Sequence, residues 1–108
     1  MNLLSSFSLS MIKEYPCEIK ACEISEKDVK ELIATNALTF KIGHPSFAEI
    51  LSKRFGCKID SLREKVIINK GESAVVAQII TSRLPEGKVL GVDELENTEI
   101  KFIKIEVL

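Results

Sequence analysis

The chain is poor in the residues that build metal centres, with one histidine, His44, and three cysteines, Cys17, Cys22 and Cys57. The cysteines are odd in number and lack Cys-x-x-Cys spacing, and one histidine does not complete a usual zinc ligand set with them, so no metal and no cofactor is expected. They read instead as buried small apolar residues in a reducing cytoplasm. Charge of one sign is also missing. Fifteen basic residues stand against sixteen acidic ones, a net charge of −1, which argues against sequence-independent binding of long nucleic acid and leaves a small anion open, since that needs only a local cluster. Residues 1–12 are uncharged and partly apolar, but the stretch lacks a basic n-region and is too short to cross a bilayer, so no membrane partner is expected. Repeats, low-complexity tracts and Gly/Ser linkers are absent as well. What remains, 108 residues with 45% hydrophobic content, fits one domain spanning 1–108 with a single core. In so small a domain, a pocket for anything larger than a mononucleotide is more easily built between two copies, which favours a homodimer.

Residues 2–6 fit a short strand, followed by serines at 5, 6, 8 and 10 that mark a polar turn. A second strand is expected over 17–24. Ser25 then has the chemistry of a helix N-cap, with acidic residues at 26 and 28, and Val29, Leu32 and Ile33 share one face of a helix running to about Thr35. A short apolar run at 38–42 leads into Gly43-His44, and Pro45 stands where proline is favoured, at the first position of a helix. Phe47, Ile50, Leu51 and Phe55 give that helix one buried face, and Gly56 supplies its C-terminal cap. Residues 64–69 and 74–82 are rich in Val and Ile and read as a central antiparallel hairpin around the 70–73 loop. A turn at 84–87, a short helix at 92–97 and a last strand at 99–108 complete an α/β domain: a mixed sheet of about five strands flanked by two or three helices.

His44 precedes a proline-started helix, where free N–H groups and the positive end of the helix dipole attract anions. A phosphate bound there sits against the imidazole. The dipole disfavours imidazolium while the phosphate favours it, a balance suited to a general acid. The other reading is that His44 only caps the helix or fills a turn. Arg83 and Glu86, in Ser82-Arg83-Leu84-Pro85-Glu86-Gly87-Lys88, stand at the end of a buried strand, where a rigid scaffold presents functional side chains. Arginine can clamp phosphate and a carboxylate can orient the arginine or a ribose hydroxyl, or the two form an ordinary surface pair. Arg63 belongs to a moderately basic region with Lys53, Arg54, Lys58 and Lys65, most of it explained by a solvated helix face. Ser8 can donate to phosphate or ribose, or serve only the turn.

Ile42-Gly43-His44 opening a helix, Arg-Leu-Pro-Glu-Gly-Lys at 83–88 and Ser-Phe-Ser-Leu-Ser-Met at 6–11 occur in an order that resembles the viral type III anti-CRISPR ring nucleases and their CRISPR-associated cellular relatives. The resemblance covers nearly the whole chain. It implies a small α/β homodimer that binds cyclic tetra-adenylate, the second messenger of type III CRISPR defence, in the cytoplasm. It further implies metal-independent cleavage into linear diadenylate ending in a 2′,3′-cyclic phosphate. By the same resemblance His44 and Glu86 are catalytic, while Ser8, Arg63 and Arg83 bind substrate. The match at Arg63 is looser, because the adjoining hairpin differs in length by about one residue. Pro45 and Phe47 stand where that family commonly has a polar residue and a small or hydroxyl residue. A non-catalytic module that only holds the cyclic nucleotide is the alternative within the same pocket.

Overall fold

The computed structural model describes residues 1–80 and 99–108. Its strands are β1 (Asn2–Leu4), β2 (Ile19–Ile24), β3 (Thr39–Lys41), β4 (Ser73–Ile80) and β5 (Glu99–Val107), and its α-helices are α1 (Glu26–Ala34) and α2 (Pro45–Phe55). The strands form one mixed sheet in the order β2-β5-β4-β1-β3. The β2–β5 and β5–β4 pairs are antiparallel, and the β4–β1 and β1–β3 pairs are parallel. Among the described residues this is five strands and two α-helices, in accord with the expected α/β domain of about five strands and two or three helices.

The helices begin and end where the local chemistry directs. Ser25 caps α1 by accepting the Asp28 N–H at 3.0 Å, while the Asp28 carboxylate accepts the Ser25 N–H at 3.1 Å, which is a complete capping box. That backbone hydrogen bond, with the Ser25 side chain and the Lys27 charge adding to it, holds the Asp28 carboxyl below the ordinary aspartate range. Asn36 closes α1 in the left-handed region at φ 56°, and the Ala37 N–H reaches back to the Leu32 carbonyl at 2.9 Å. In α2, Pro45 takes the first helical position and Gly56 ends the helix at φ 66°.

Alternation along the strands divides the interior between the two faces of the sheet. Leu3, Val75, Ala77 and Phe102 point to the face covered by Val29 of α1 and by Phe47, Ala48 and Leu51 of α2. Leu4, Ala74, Val76, Ile105 and Val107 point to the other face, where Ile12, Val66 and Ile68 cover them. Burial of β4 on both faces explains why 74–77 reads as an unbroken apolar run rather than an alternating one.

The hairpin expected from 64–69 and 74–82 does not form. Residues 64–69 are irregular, and β4 lies between β1 and β5. Val66 and Ile68 bury their side chains over the second face of the sheet, and the Ile68 N–H bonds to the Met11 carbonyl at 2.8 Å. Richness in Val and Ile suits a covering segment as well as a strand and does not distinguish the two. The turn itself is present: Gly71 takes φ 87° and the Glu72 N–H bonds to the Asn69 carbonyl at 3.0 Å. It leads into β4 beside β5, with the Gly71 N–H on the Val107 carbonyl at 2.7 Å.

The cysteines also depart from expectation. Cys22 is exposed, Cys17 and Cys57 are half-buried, and all three are free thiols. Cys22 lies on β2, an edge of the sheet whose residues are largely exposed. The expected turn at 84–87 and helix at 92–97 lie outside the described residues. Among the described residues no helix is long and apolar enough to cross a membrane.

Candidate functional site

The parallel strands β1 and β3 run side by side with Leu4 opposite Lys41. Beyond their C-terminal ends the chain departs in two directions, into Ser5-Ser6 and into Ile42-Gly43-His44. The crevice outside the carboxyl ends of parallel strands is the usual ligand position in α/β sheets. A third segment closes it. Ser61 forms a parallel bridge with Ile42, and the Leu62 N–H bonds to the Ile42 carbonyl at 2.8 Å. This short extension of the sheet carries Arg63 and Glu64 alongside Gly43 and His44.

Behind that extension stands Ser52 of α2. Its hydroxyl accepts the Ile59 N–H at 2.9 Å and lies 2.7 Å from the Ala48 carbonyl and 3.1 Å from the Ile59 carbonyl. The serine therefore ties the chain that leaves α2 back onto the helix, and so fixes the approach of residues 61–64.

The resulting pocket has a volume of about 210 Å³ and is lined by Ser5, Ser6, Lys41, His44, Arg63 and Glu64, among others. His44 occupies the N-cap position with φ −109° and ψ 115°, and its carbonyl accepts the Ala48 N–H at 2.9 Å. Its ring makes no capping hydrogen bond. That bond is the first of the helix itself, so the free N–H groups of the helix start have no side-chain cap, and His44 is exposed at the pocket. Pro45 has no N–H to offer, so the N–H groups of Ser46 and Phe47 are those that an anion at this helix start can reach.

Gly43 brings no side chain between His44 and Arg63; a Cβ there would lie 3.9 Å from the Arg63 Cγ, an ordinary contact. Lys41 reaches the Glu64 carboxylate at 2.9 Å with its side chain only 18% exposed, whereas that of Glu64 is 54% exposed. Phe47 is buried in the helix-side core at 5% exposure, so the third position after His44 supports α2 and does not face the pocket.

The structure brings together two of the expected site residues, His44 and Arg63. Ser8 is not among the residues lining this pocket. It caps a single 3-10 turn, Leu9–Met11, with its hydroxyl accepting the Ser10 N–H at 3.3 Å and lying 3.0 Å from the Ser10 hydroxyl. Ser5 and Ser6, nearer the end of β1, line the pocket instead. Arg83 and Glu86 lie outside the described residues. β4 runs parallel to β1, so its C-terminal end points toward the same edge of the sheet as those of β1 and β3. The pocket residues that sequence patterns did not reveal are Ser5, Ser6, Lys41 and Glu64. Lys41 stands directly before Ile42-Gly43-His44, a signal available from position alone.

Three other cations of the 53–65 region stand beside acids: Lys53 with Glu49 at 3.9 Å, Arg54 with Glu26 at 3.5 Å and Lys58 with Asp60 at 3.8 Å. Among the described residues no three His, Cys, Asp or Glu side chains converge on one point. A larger recess of about 360 Å³ lies over the second face of the sheet. Among the described residues its lining includes Phe7, Val76, Ile103 and Ile105 and no charged side chain, so these residues offer an anion less than those of the smaller pocket do.

A family model described as STIV B116-like matches residues 1–104. The chain belongs to the STIV B116-like family. Members of this family and their likenesses include viral proteins. Uncharacterized protein 26 of Sulfolobus islandicus filamentous virus (isolate Iceland/Hveragerdi) is 31% identical over 109 residues, covering 100% of this chain and 92% of that relative. The solved structure of B116 of Sulfolobus turreted icosahedral virus is similar with a TM-score of 0.73 and 28% identity, covering 97% of each chain.

Proposed function

We propose that this B116-like protein is a metal-independent ring nuclease that cleaves cyclic tetra-adenylate to linear diadenylate with a 2′,3′-cyclic phosphate, and so switches off type III CRISPR signalling. The observation that supports this reading best is the sharing of one pocket by an exposed histidine and an arginine at an uncapped helix start. Such a pocket offers a proton donor, a fixed positive charge and backbone N–H groups to a single phosphodiester.

The chemistry needs little more. A ribose 2′-oxygen attacks the adjacent phosphorus, its proton passing to water, and the bond from phosphorus to the 5′-oxygen breaks. His44 gives its proton to that departing oxygen. Arg63 holds the phosphate charge, and Ser5 or Ser6 is placed to contact a ribose or phosphate oxygen. Arg83 and Glu86 keep the roles that the resemblance implies, Arg83 in binding substrate and Glu86 in catalysis. Orientation and charge stabilisation supply most of the acceleration in such an internal transfer.

The size of the pocket bears on assembly. A volume of about 210 Å³ is below the range of roughly 300–1,000 Å³ usual for sites enclosing a drug-sized ligand, and a ring of four nucleotides is larger still. A two-fold dimer offers two such pockets to opposite phosphodiesters of the ring, and two cuts give dinucleotide products. The messenger is intracellular, so this function places the protein in the cytoplasm.

A single-turnover assay with labelled cyclic tetra-adenylate tests the proposal. Loss of a general acid in His44→Ala is expected to slow cleavage by about 10²–10⁴-fold. Tight binding of the ring without any product would instead favour a non-catalytic nucleotide sponge.

A further inference from the structure

Lys41 and Glu64 are not part of the catalytic set above, yet both line the same pocket as His44 and Arg63. We infer that Lys41 is a further phosphate-contacting residue of this pocket, and that Glu64 is an internal anion which a ligand phosphate displaces from it. The inference rests on the anion-binding reading of the pocket proposed above.

Three features point this way. Lys41 ends β3 next to Leu4 of β1, and its side chain is only 18% exposed. Its ammonium donates to the Glu64 carboxylate at 2.9 Å, which serves as its counter-ion. Glu64 is the more exposed partner, at 54%, so it can swing away into water at small cost while Lys41 stays in place. A phosphate oxygen arriving in the pocket carries the same charge and accepts the same hydrogen bond.

A second point separates this role from a purely structural one. Residues 61–64 are already held beside β3 by the Ser61–Ile42 bridge and the Leu62 N–H bond to the Ile42 carbonyl. The ion pair is not needed to bring the two segments together. Its position at the pocket therefore has a use as a gate: Glu64 neutralises Lys41 in the free protein and competes with weakly held anions. A ligand with a well-placed phosphate replaces the carboxylate and gains the lysine.

The test is a binding series with adenosine 5′-monophosphate, inorganic phosphate and cyclic tetra-adenylate, followed by amide chemical shifts at Gly43, His44 and Arg63. Wild type, Lys41→Met, Lys41→Arg and Glu64→Gln are compared after thermal unfolding has established that each is folded. Glu64→Gln is expected to bind the monophosphate about two- to five-fold more tightly, the range set by the strength of an accessible ion pair. Lys41→Met is expected to bind it more weakly by at least as much, and Lys41→Arg to retain it. A structural pair predicts the opposite sign for Glu64→Gln, since loosening residues 61–64 can only weaken the site. Weaker or unchanged binding by Glu64→Gln, unchanged binding by Lys41→Met, or no binding of the monophosphate by wild type overturns the inference. The expected shifts in monophosphate affinity together with an uncut ring would leave the inference standing and remove the nuclease proposal.

Discussion

Replacing Ser52 with alanine is expected to disturb the pocket from behind, without touching any residue that lines it. The Ser52 hydroxyl accepts the Ile59 N–H at 2.9 Å and contacts the carbonyls of Ala48 and Ile59. Ile59 is only 4% exposed, so water does not readily take the place of the lost acceptor. Leaving one buried donor unsatisfied costs about 1–3 kcal/mol. For a domain of about this size each kcal/mol lowers the unfolding midpoint by about 4–8 °C, so a drop of at least about 4 °C is expected in a thermal melt. The disturbance should also be directional. Hydrogen exchange at the Leu62 N–H, which bonds to the Ile42 carbonyl, is expected to accelerate more than exchange at Val76 in β4, because the tether lies directly upstream of residues 61–64. Stability within about 0.5 kcal/mol of wild type, together with unchanged protection at Leu62, would refute the idea that Ser52 positions the Arg63 segment.

Three further outcomes follow from the fold. Phe102, 2% exposed and tilted against Phe55 with ring centroids 5.7 Å apart, should cost about 3–5 kcal/mol when replaced by alanine, measured by urea unfolding. The Asp28 carboxyl is held below the ordinary aspartate range first by the Ser25 backbone N–H. A depressed folded pKa stabilises above the unfolded value and is lost as pH falls through the folded one, so stability below about pH 4 should fall more steeply in wild type than in Asp28→Asn, read from urea midpoints across pH. In the native protein Cys22 should react fastest of the three thiols with a disulfide reagent, and Cys22→Ser should remove that fast phase, because Cys22 alone is exposed.

The features legible in the sequence are those specified within a few residues. The Ser25 N-cap of α1, the start of α2 at Pro45 and its end at Gly56 each follow from local backbone chemistry, and each stands where expected. Val66 and Ile68 are buried, but the Val and Ile content of 64–69 does not say whether the segment pairs within a sheet or lies across it. That choice depends on β1 taking the place beside β4, a pairing between segments far apart in the chain. The same limit applies to the pocket. His44 is marked by its position before Pro45, whereas the Lys41–Glu64 pair spans 23 residues and arises only once Ser61 bridges Ile42. Ser8 and Ser5 have the same side chain in the same serine-rich turn, and only the folded chain shows which of them faces the pocket. Residue type alone predicts a buried Cys22, and its place on an edge strand decides otherwise.

The most direct measurement of the central claim is the product analysis of cyclic tetra-adenylate incubated with the protein in excess EDTA, for wild type and His44→Ala side by side. Linear diadenylate carrying a 2′,3′-cyclic phosphate from wild type, reduced by about 10²–10⁴-fold in the variant, is the predicted result. An undiminished ring with wild type, or equal cleavage by His44→Ala, would contradict it.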